Sequence, residues 1–277
     1  MKVGLICCGR LENRYAVEFV DHYKQLGFNH IFIADNNRSG EEHFEDVLQS
    51  YIDEGFVTIY DYRHIEYEVQ FTAYIELYYK LSNDYDWFAF FDFDEFLILQ
   101  KDKTIHDYLS RICFKRYNQI LINWKVYTDN DLVYDDGRSC LERFTTPLKE
   151  NTRIREYNQE INKLTKCIIK TKIKDLDQFT VHNFYNKILY KTTCNNFGHY
   201  IDNFLYQKYN YDLAYIKHFP TKTISEYVNN KLKRGTGDRT IEKFNDTYTI
   251  HRFFEINKIT KEKLDFLEKN KIKFNYF

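Results

Sequence analysis

Two carboxylates, Asp92 and Asp94, stand two residues apart behind the uninterrupted apolar run Trp87 to Phe91. Five apolar residues in a row predict a strand buried on both faces, as in a parallel sheet covered by helices. Strand side chains two apart share a side, so both acids are expected to lean into one spot at the strand's carboxyl end. Like charges that close repel, and a divalent cation is their natural partner. Oxygen ligands suit Mg2+ or Mn2+, ions that usually also hold substrate phosphates. A solvated acidic turn is the competing reading, since Asp-x-Asp is a common triplet. The apolar run in front and Glu95-Phe96-Leu97 behind favour the site.

Holding such a pair requires a sheet whose strand ends line up. Residues 3–8 read as a first strand. A helix over 14–26 follows, with Tyr15, Ala16, Phe19, Val20, Tyr23 and Leu26 at helical spacing and Gly27 as its left-handed stop. Strands at 30–34 and 57–60 and helices at 40–54 and 66–81 complete an alternating pattern. That order predicts an α/β fold, a Rossmann-like doubly wound and mostly parallel sheet with right-handed crossovers. Ligands bind such sheets at the carboxyl edge, where Arg10, Glu12, Asp35, Asn36, Arg63 and Asp92 all fall. No Gly-x-Gly-x-x-Gly and no Walker loop is present, which disfavours dinucleotides and P-loop chemistry.

The second half reads as less regular, a smaller mixed acceptor-side subsheet followed by C-terminal helices. A capping box at Thr104 and Asp107 starts a short helix, and strands are expected at 119–124, 166–171, 178–184, 187–190 and 214–219. Residues 127–138 form a polar loop, and the charged stretch 145–163 reads as a mobile or acceptor-side segment. Thr223-x-x-Glu226 opens a helix that carries Lys231 and Arg234 three apart and stops at Gly235. An amphipathic helix begins near Lys261 and leads into a Lys- and aromatic-rich tail ending at Phe277. With no internal repeat or linker, 1–277 is expected to be one domain: a nucleotide-binding half (1–100), an acceptor-binding half (101–240) and a helical tail (241–277).

A net charge of -1 argues against nucleic acid as a partner. Six cysteines, the adjacent pair Cys7-Cys8 and four scattered ones, without a Cys-x-x-Cys argue against a zinc knuckle and for reduced thiols in the cytoplasm. The chain opens directly on a strand, so no signal peptide is expected, and no apolar stretch reaches membrane-spanning length.

These residues resemble the GT-A-fold glycosyltransferases of families 2 and 92. Those enzymes follow the first strand with Lys-Asn-Glu and a helix reading Tyr-x-x-Glu-Trp-x-x-x-His-x-x-x-Gly. Here Glu12, Tyr15, Glu18, Phe19 and Gly27 stand in order, with Gly9-Arg10-Leu11 ahead of the Glu and Tyr23 at the family histidine. Asp35-Asn36-Asn37-Arg38-Ser39 is similar to the family's Asp-Asn-x-Ser turn, and Gln70 to its helix-borne Gln. Asp86-Trp87 and Asp92-Phe93-Asp94-Glu95-Phe96-Leu97 match position for position. Glu142-Arg143-Phe144, Lys166, and His218 through Lys222-Thr223 to Lys231 and Arg234-Gly235 resemble later motifs, so that the likeness spans roughly residues 1 to 240.

The resemblance implies a GT-A fold and metal-dependent, inverting transfer of a hexose from a nucleotide sugar, UDP-galactose by default. The acceptor would be a glycan or lipid-linked oligosaccharide in surface polysaccharide synthesis. It implies Asp92, Asp94 and His218 as metal ligands for Mn2+ or Mg2+. Arg10, Glu12, Asp35, Arg63, Gln70, Asp92, Lys231 and Arg234 would bind the donor, Arg234 being able to grip phosphate bidentately. Glu142 would be the general base, with Asp129 and Asp131 behind it, and Trp124 would floor the acceptor site. The basic, aromatic tail suggests peripheral contact with the inner membrane leaflet. Two rival readings are a nucleotidyltransferase acting on a sugar phosphate and a non-catalytic carbohydrate-binding protein.

Overall fold

The computed structural model describes the chain except residues 156–158, 177, 203, 205–207, 236–248 and 275–277. Elements β1 (Val3–Gly9), α1 (Asn13–Gln25), β2 (His30–Asp35), α2 (Glu45–Asp53), β3 (Val57–Asp61), α3 (Val69–Leu81) and β4 (Trp87–Phe90) alternate as the periodicity requires. β5 (Glu95–Leu99), α4 (Ile105–Leu109), β6 (Gln119–Val126) and α5 (Cys140–Arg143) come next. Then come the small hairpin of β7 (Arg153–Ile154) and β8 (Gln159–Glu160), followed by β9 (Thr165–Lys170), β10 (Gln178–Phe179) and β11 (Phe184–Tyr185). The chain ends with α6 (Leu189–Thr192), β12 (Thr193–Asn195), β13 (Ala214–His218), α7 (Ile224–Glu226), α8 (Leu232–Arg234), α9 (Ile250–Ile256) and α10 (Lys261–Lys269).

One sheet runs in the order β3-β2-β1-β4-β9-β6-β13-β5, with β12 beside the first half of β6. The first four strands are parallel. β9 is antiparallel to both β4 and β6, and β13 runs parallel to β6 and antiparallel to β5. This is the α/β architecture expected from the sequence, its mixed half joined to its parallel half through β9 and β6. Apolar residues on one face of the sheet, among them Leu5, Ile33 and Phe91, pack on Phe19 and Tyr23 of α1 and Leu48 of α2. The other face, with Ile6, Phe88 and Phe90, packs on Tyr74, Leu77 and Tyr78 of α3.

Several elements depart from expectation. α3 begins at Val69, not at the expected 66, and buries Val69, Gln70, Ala73, Tyr74, Leu77, Tyr78 and Leu81. Residues 187–190 do not form a strand: the Asn186 Oδ1 accepts the Leu189 N–H at 2.7 Å and starts the helix α6. The expected strand 178–184 is the hairpin β10–β11, turned at Thr180 and Asn183. β5 and α9 were not foreseen. Tyr276 and Phe277, part of the membrane-contact expectation, lie outside the described residues, among which no helix is long and apolar enough to cross a membrane. All six cysteines are free.

Candidate active site at the carboxyl edge of the sheet

β4 stops at Phe90, and the chain turns where the Glu95 N–H donates to the Asp92 carbonyl at 2.9 Å. That turn overrides the strand alternation, so Asp92 and Asp94 do not lean into one spot. Asp92 stays on the α3 side: its Oδ1 accepts from Gln70 Nε2 (2.6 Å) and Tyr74 OH (3.0 Å), and its Oδ2 from Lys166 Nζ (2.8 Å). Lys166 is buried at the head of β9, and the antiparallel pairing of β9 with β4 brings it to the carboxyl end of β4. Burial alone would lower its pKa, but Asp92 and Glu95 outweigh burial and raise it.

Asp94 is buried and faces the other way. Its Oδ2 receives Lys231 Nζ at 2.5 Å, and its Oδ1 lies 3.6 Å from His218 Nε2. Pairing of β13 with β5 sets His218 opposite Glu95, and the Phe219 N–H donates to the Asp94 carbonyl at 2.9 Å. Burial would raise the Asp94 carboxyl, yet Lys231, His218 and Lys222 hold it well below the usual range. Burial, aided by Lys231 and Lys166 and opposed by Asp94, pushes His218 down to about 3. The imidazole is therefore neutral, the form that ligates metals. Glu95, fully buried, is pushed well above the carboxylate range by burial and by Asp92 and Asp94, against Lys166.

Ligand atoms of Asp94, Glu95 and His218 lie within 4.8 Å of one another. Among the described residues, Glu95 Oε1 and His218 Nδ1 are buried without a hydrogen-bond partner. A divalent ion that takes ligands at about 2.1 Å spaces adjacent ligands roughly 3 Å apart. The 3.6 Å between Asp94 Oδ1 and His218 Nε2 is close to that spacing, and Lys231 occupies only the other carboxylate oxygen. The donor set fits a divalent cation on Asp94 and His218. Asp92, both of whose oxygens accept bonds from Gln70, Tyr74 and Lys166, is not in that group.

Beside Asp94 opens a cleft lined by Glu12, Tyr15, Thr221, Lys222, Glu226, Asn230, Lys231 and Arg234. The helix that supplies it starts with a true capping box, Thr223 with Glu226, then widens into a π-helical turn over Tyr227–Lys231 before α8. Such turns recur at functional sites. Arg234 pairs with Glu12 at 2.5 Å and also donates to the Arg10 carbonyl; Lys222 lies 3.5 Å from Glu12. Arg10 itself makes a two-pronged pair with Glu41 at 2.6 and 2.8 Å. Asp35 ends β2 fully buried, accepting from Arg63 and from the backbone and side chain of Asn37.

Glu142 and Trp124 are placed differently from their expected roles. Glu142 is exposed, and its Oε2 closes the capping box of α5 with Ser139, whose bonds lower its pKa. No hydrogen bond or ion pair among the described residues joins it to the Asp94 group. Asp129 is buried against Lys263 at 2.6 Å, and Asp131 lies 3.4 Å from the same ammonium. Trp124 is 5% exposed, so its ring offers no open floor; it backs His218 at 4.1 Å between ring centroids. Lys166, Lys222, Glu226 and Tyr74 join the site without having been singled out for it. The match of Lys166 and Lys222 to later family motifs was the signal the sequence offered for them.

No curated protein matches the chain. Among solved structures, it is similar to S. aureus TarS 1-349 at 12% identity and a TM-score of 0.44, covering 84% of this chain and 64% of that one. The S. aureus TarS 1-349 complex with UDP gives 13% identity and a TM-score of 0.38, covering 61% and 47%. The chain thus spans less than two thirds of these structures. The profile of glycosyltransferase family 92 matches residues 7–264. That match runs from within β1 to within α10 and takes in every residue of the site, and the chain belongs to glycosyltransferase family 92.

Proposed function

We propose that this glycosyltransferase uses a nucleoside-diphosphate sugar, with a UDP-hexose such as UDP-galactose as the first candidate, and a glycan or lipid-linked saccharide acceptor. The observation that carries the reading is the juxtaposition of the Asp94–His218 pair with Lys222, Lys231 and Arg234 along one cleft. Departure of a diphosphate leaves negative charge, and three cations in a partly water-excluded cleft stabilise it as it forms. Arg234, whose Nη1 stays with Glu12, offers its remaining N–H groups to a phosphate oxygen; Lys231 and Lys222 act as point charges. A divalent cation, Mn2+ or Mg2+, held by Asp94 and His218, would supply Lewis-acid neutralisation of the same oxygens. Asp35 and Arg63, joined at the end of β2, and Glu12 would bracket ribose and base.

Titration calorimetry with UDP, GDP and dTDP, with and without Mn2+, tests this reading, followed by hydrolysis of the matching nucleotide sugars. Metal-dependent binding of one diphosphate and slow release of its sugar are expected. Binding of none of them, with or without metal, would refute it.

A further inference from the structure

Lys222 has an unusual backbone for its position. Its φ is 51°, the left-handed region that a lysine enters at a cost, and it is buried. Such strain persists only where the surroundings over-determine it. Here both neighbours are pinned. Thr223 is the N-cap whose N–H and hydroxyl both donate to Glu226 Oε2, at 3.1 and 2.6 Å. Thr221, 2% exposed, accepts from Asn257 Nδ2 at 2.9 Å. Asn257 directly follows α9, and the same carboxamide accepts the Asp129 N–H at 2.7 Å and donates to the Phe253 carbonyl at 3.1 Å. The Asp129 carboxylate is in turn fixed by the buried Lys263 of α10.

The consequence of this clamp is the direction of one ammonium. Lys222 Nζ sits 3.8 Å from the centre of the Tyr15 ring and 3.5 Å from Glu12, at the cleft that Lys231 and Arg234 also line. Glu12 already has a closer cation in Arg234 at 2.5 Å. Lys222 can thus leave Glu12 for an incoming anion without stranding a buried carboxylate.

We propose that Lys222 binds a phosphate oxygen of the nucleoside diphosphate, and that Asn257, through Thr221, is a positioning residue that holds Lys222 in its left-handed conformation. This rests on the donor reading given above. It assigns the C-terminal helices a part in donor binding that their distance along the chain conceals.

The test uses the full chain with Mn2+ and whichever of UDP, GDP and dTDP the wild type binds tightest. Lys222→Ala and Lys222→Gly are each expected to weaken binding about tenfold, the worth of one charge-assisted hydrogen bond. Lys222→Gly should melt higher than Lys222→Ala, because glycine relieves the strain that alanine keeps. Thr221→Val keeps the shape but removes the acceptor for Asn257. It should weaken binding several-fold, and Thr221→Ser should restore the affinity. Wild-type affinity in both Lys222 variants would overturn the phosphate role. Equal losses in Thr221→Ser and Thr221→Val, or none in either, would overturn the positioning role. A wild type that binds none of the three diphosphates would overturn the donor reading and this inference with it, an outcome distinct from the other two.

Discussion

Replacing Asp94 with Asn separates the two jobs this carboxylate does. The side chains of Asp94 and Lys231 are each 7% exposed and meet at 2.5 Å. Removing one partner of a buried pair strands the other charge and costs about 3–5 kcal/mol. The amide oxygen still accepts weakly, which places Asp94→Asn toward the lower end, at about 3 kcal/mol. In a chain of this size each kcal/mol moves the melting point by about 2–4 °C, so a drop of roughly 6–12 °C is expected. The double variant Asp94→Asn, Lys231→Met removes the stranded ammonium and should recover most of that drop. Thermal unfolding in chelator-treated buffer reads this part. Calorimetry with Mn2+ and a nucleoside diphosphate reads the other: neither variant should show metal-dependent binding. An Asp94→Asn protein as stable as wild type would refute the ion-pair reasoning. One that kept full metal-dependent binding would refute the site.

His22 on α1 is half-buried, with Nε2 2.8 Å from the Leu97 carbonyl, and its loss of solvent pushes its pKa down to about 4. The unfolded chain takes up that proton near pH 6.5 and the folded chain only near pH 4. Stability is therefore flat above pH 6.5 and falls toward pH 4, by up to about 1.4 kcal/mol per pH unit from this group. His22→Gln should flatten that part of a urea-midpoint profile, and an unchanged slope would rule the account out. At the end of β1, a Cβ on Gly9 would come within 2.5 Å of the Phe93 ring and 2.7 Å of Phe44. Gly9→Ala should cost about 1–3 kcal/mol by overpacking. Because Phe93 lies between Asp92 and Asp94, nucleotide affinity should fall as well; a loss of stability with intact affinity would uncouple the two.

The parallel half of the sheet was legible because its signals are local: apolar runs for strands, helical spacing for α1, and Gly27 as a stop. The edge gathering Arg10, Glu12, Asp35, Arg63 and Asp92 followed from topology alone. Side-chain direction was not legible. Strand alternation put Asp92 and Asp94 together, whereas a single backbone bond from Glu95 to Asp92 turns the chain and sends the two acids to different lysines. The long-range half of each pair was hidden for the same reason. Glu226 reads as a capping box, and nothing in its neighbourhood reveals that Arg143 grips it from 83 residues away. Glu142 shows the converse: its place in the Glu142-Arg143-Phe144 motif suggested chemistry, but Ser139 to Glu142 spell a helix cap, and the cap is what they form.

Four acids at this sheet edge carry a base: Asp92 with Lys166, Asp94 with Lys231, Glu12 with Arg234 and Lys222, Asp35 with Arg63. These pairs spare the folded chain the large cost of isolated buried charges. They also set the terms on which ligands enter. A diphosphate that draws Lys231 away would leave Asp94 bare, and a divalent cation that binds Asp94 would face an ammonium 2.5 Å from the same carboxylate. Each ligand alone meets a cost that the other removes, since the cation satisfies Asp94 while the phosphate satisfies Lys231. Binding of the two is therefore expected to be coupled, and reciprocally so. Mn2+ should raise nucleoside-diphosphate affinity at least tenfold, and the diphosphate should raise Mn2+ affinity by the same factor. Lys231→Met removes the competition, so Mn2+ alone should bind it more tightly than wild type while the coupling shrinks. A full thermodynamic box by calorimetry measures all four affinities, and additive binding in the wild type would contradict the exchange of partners argued here.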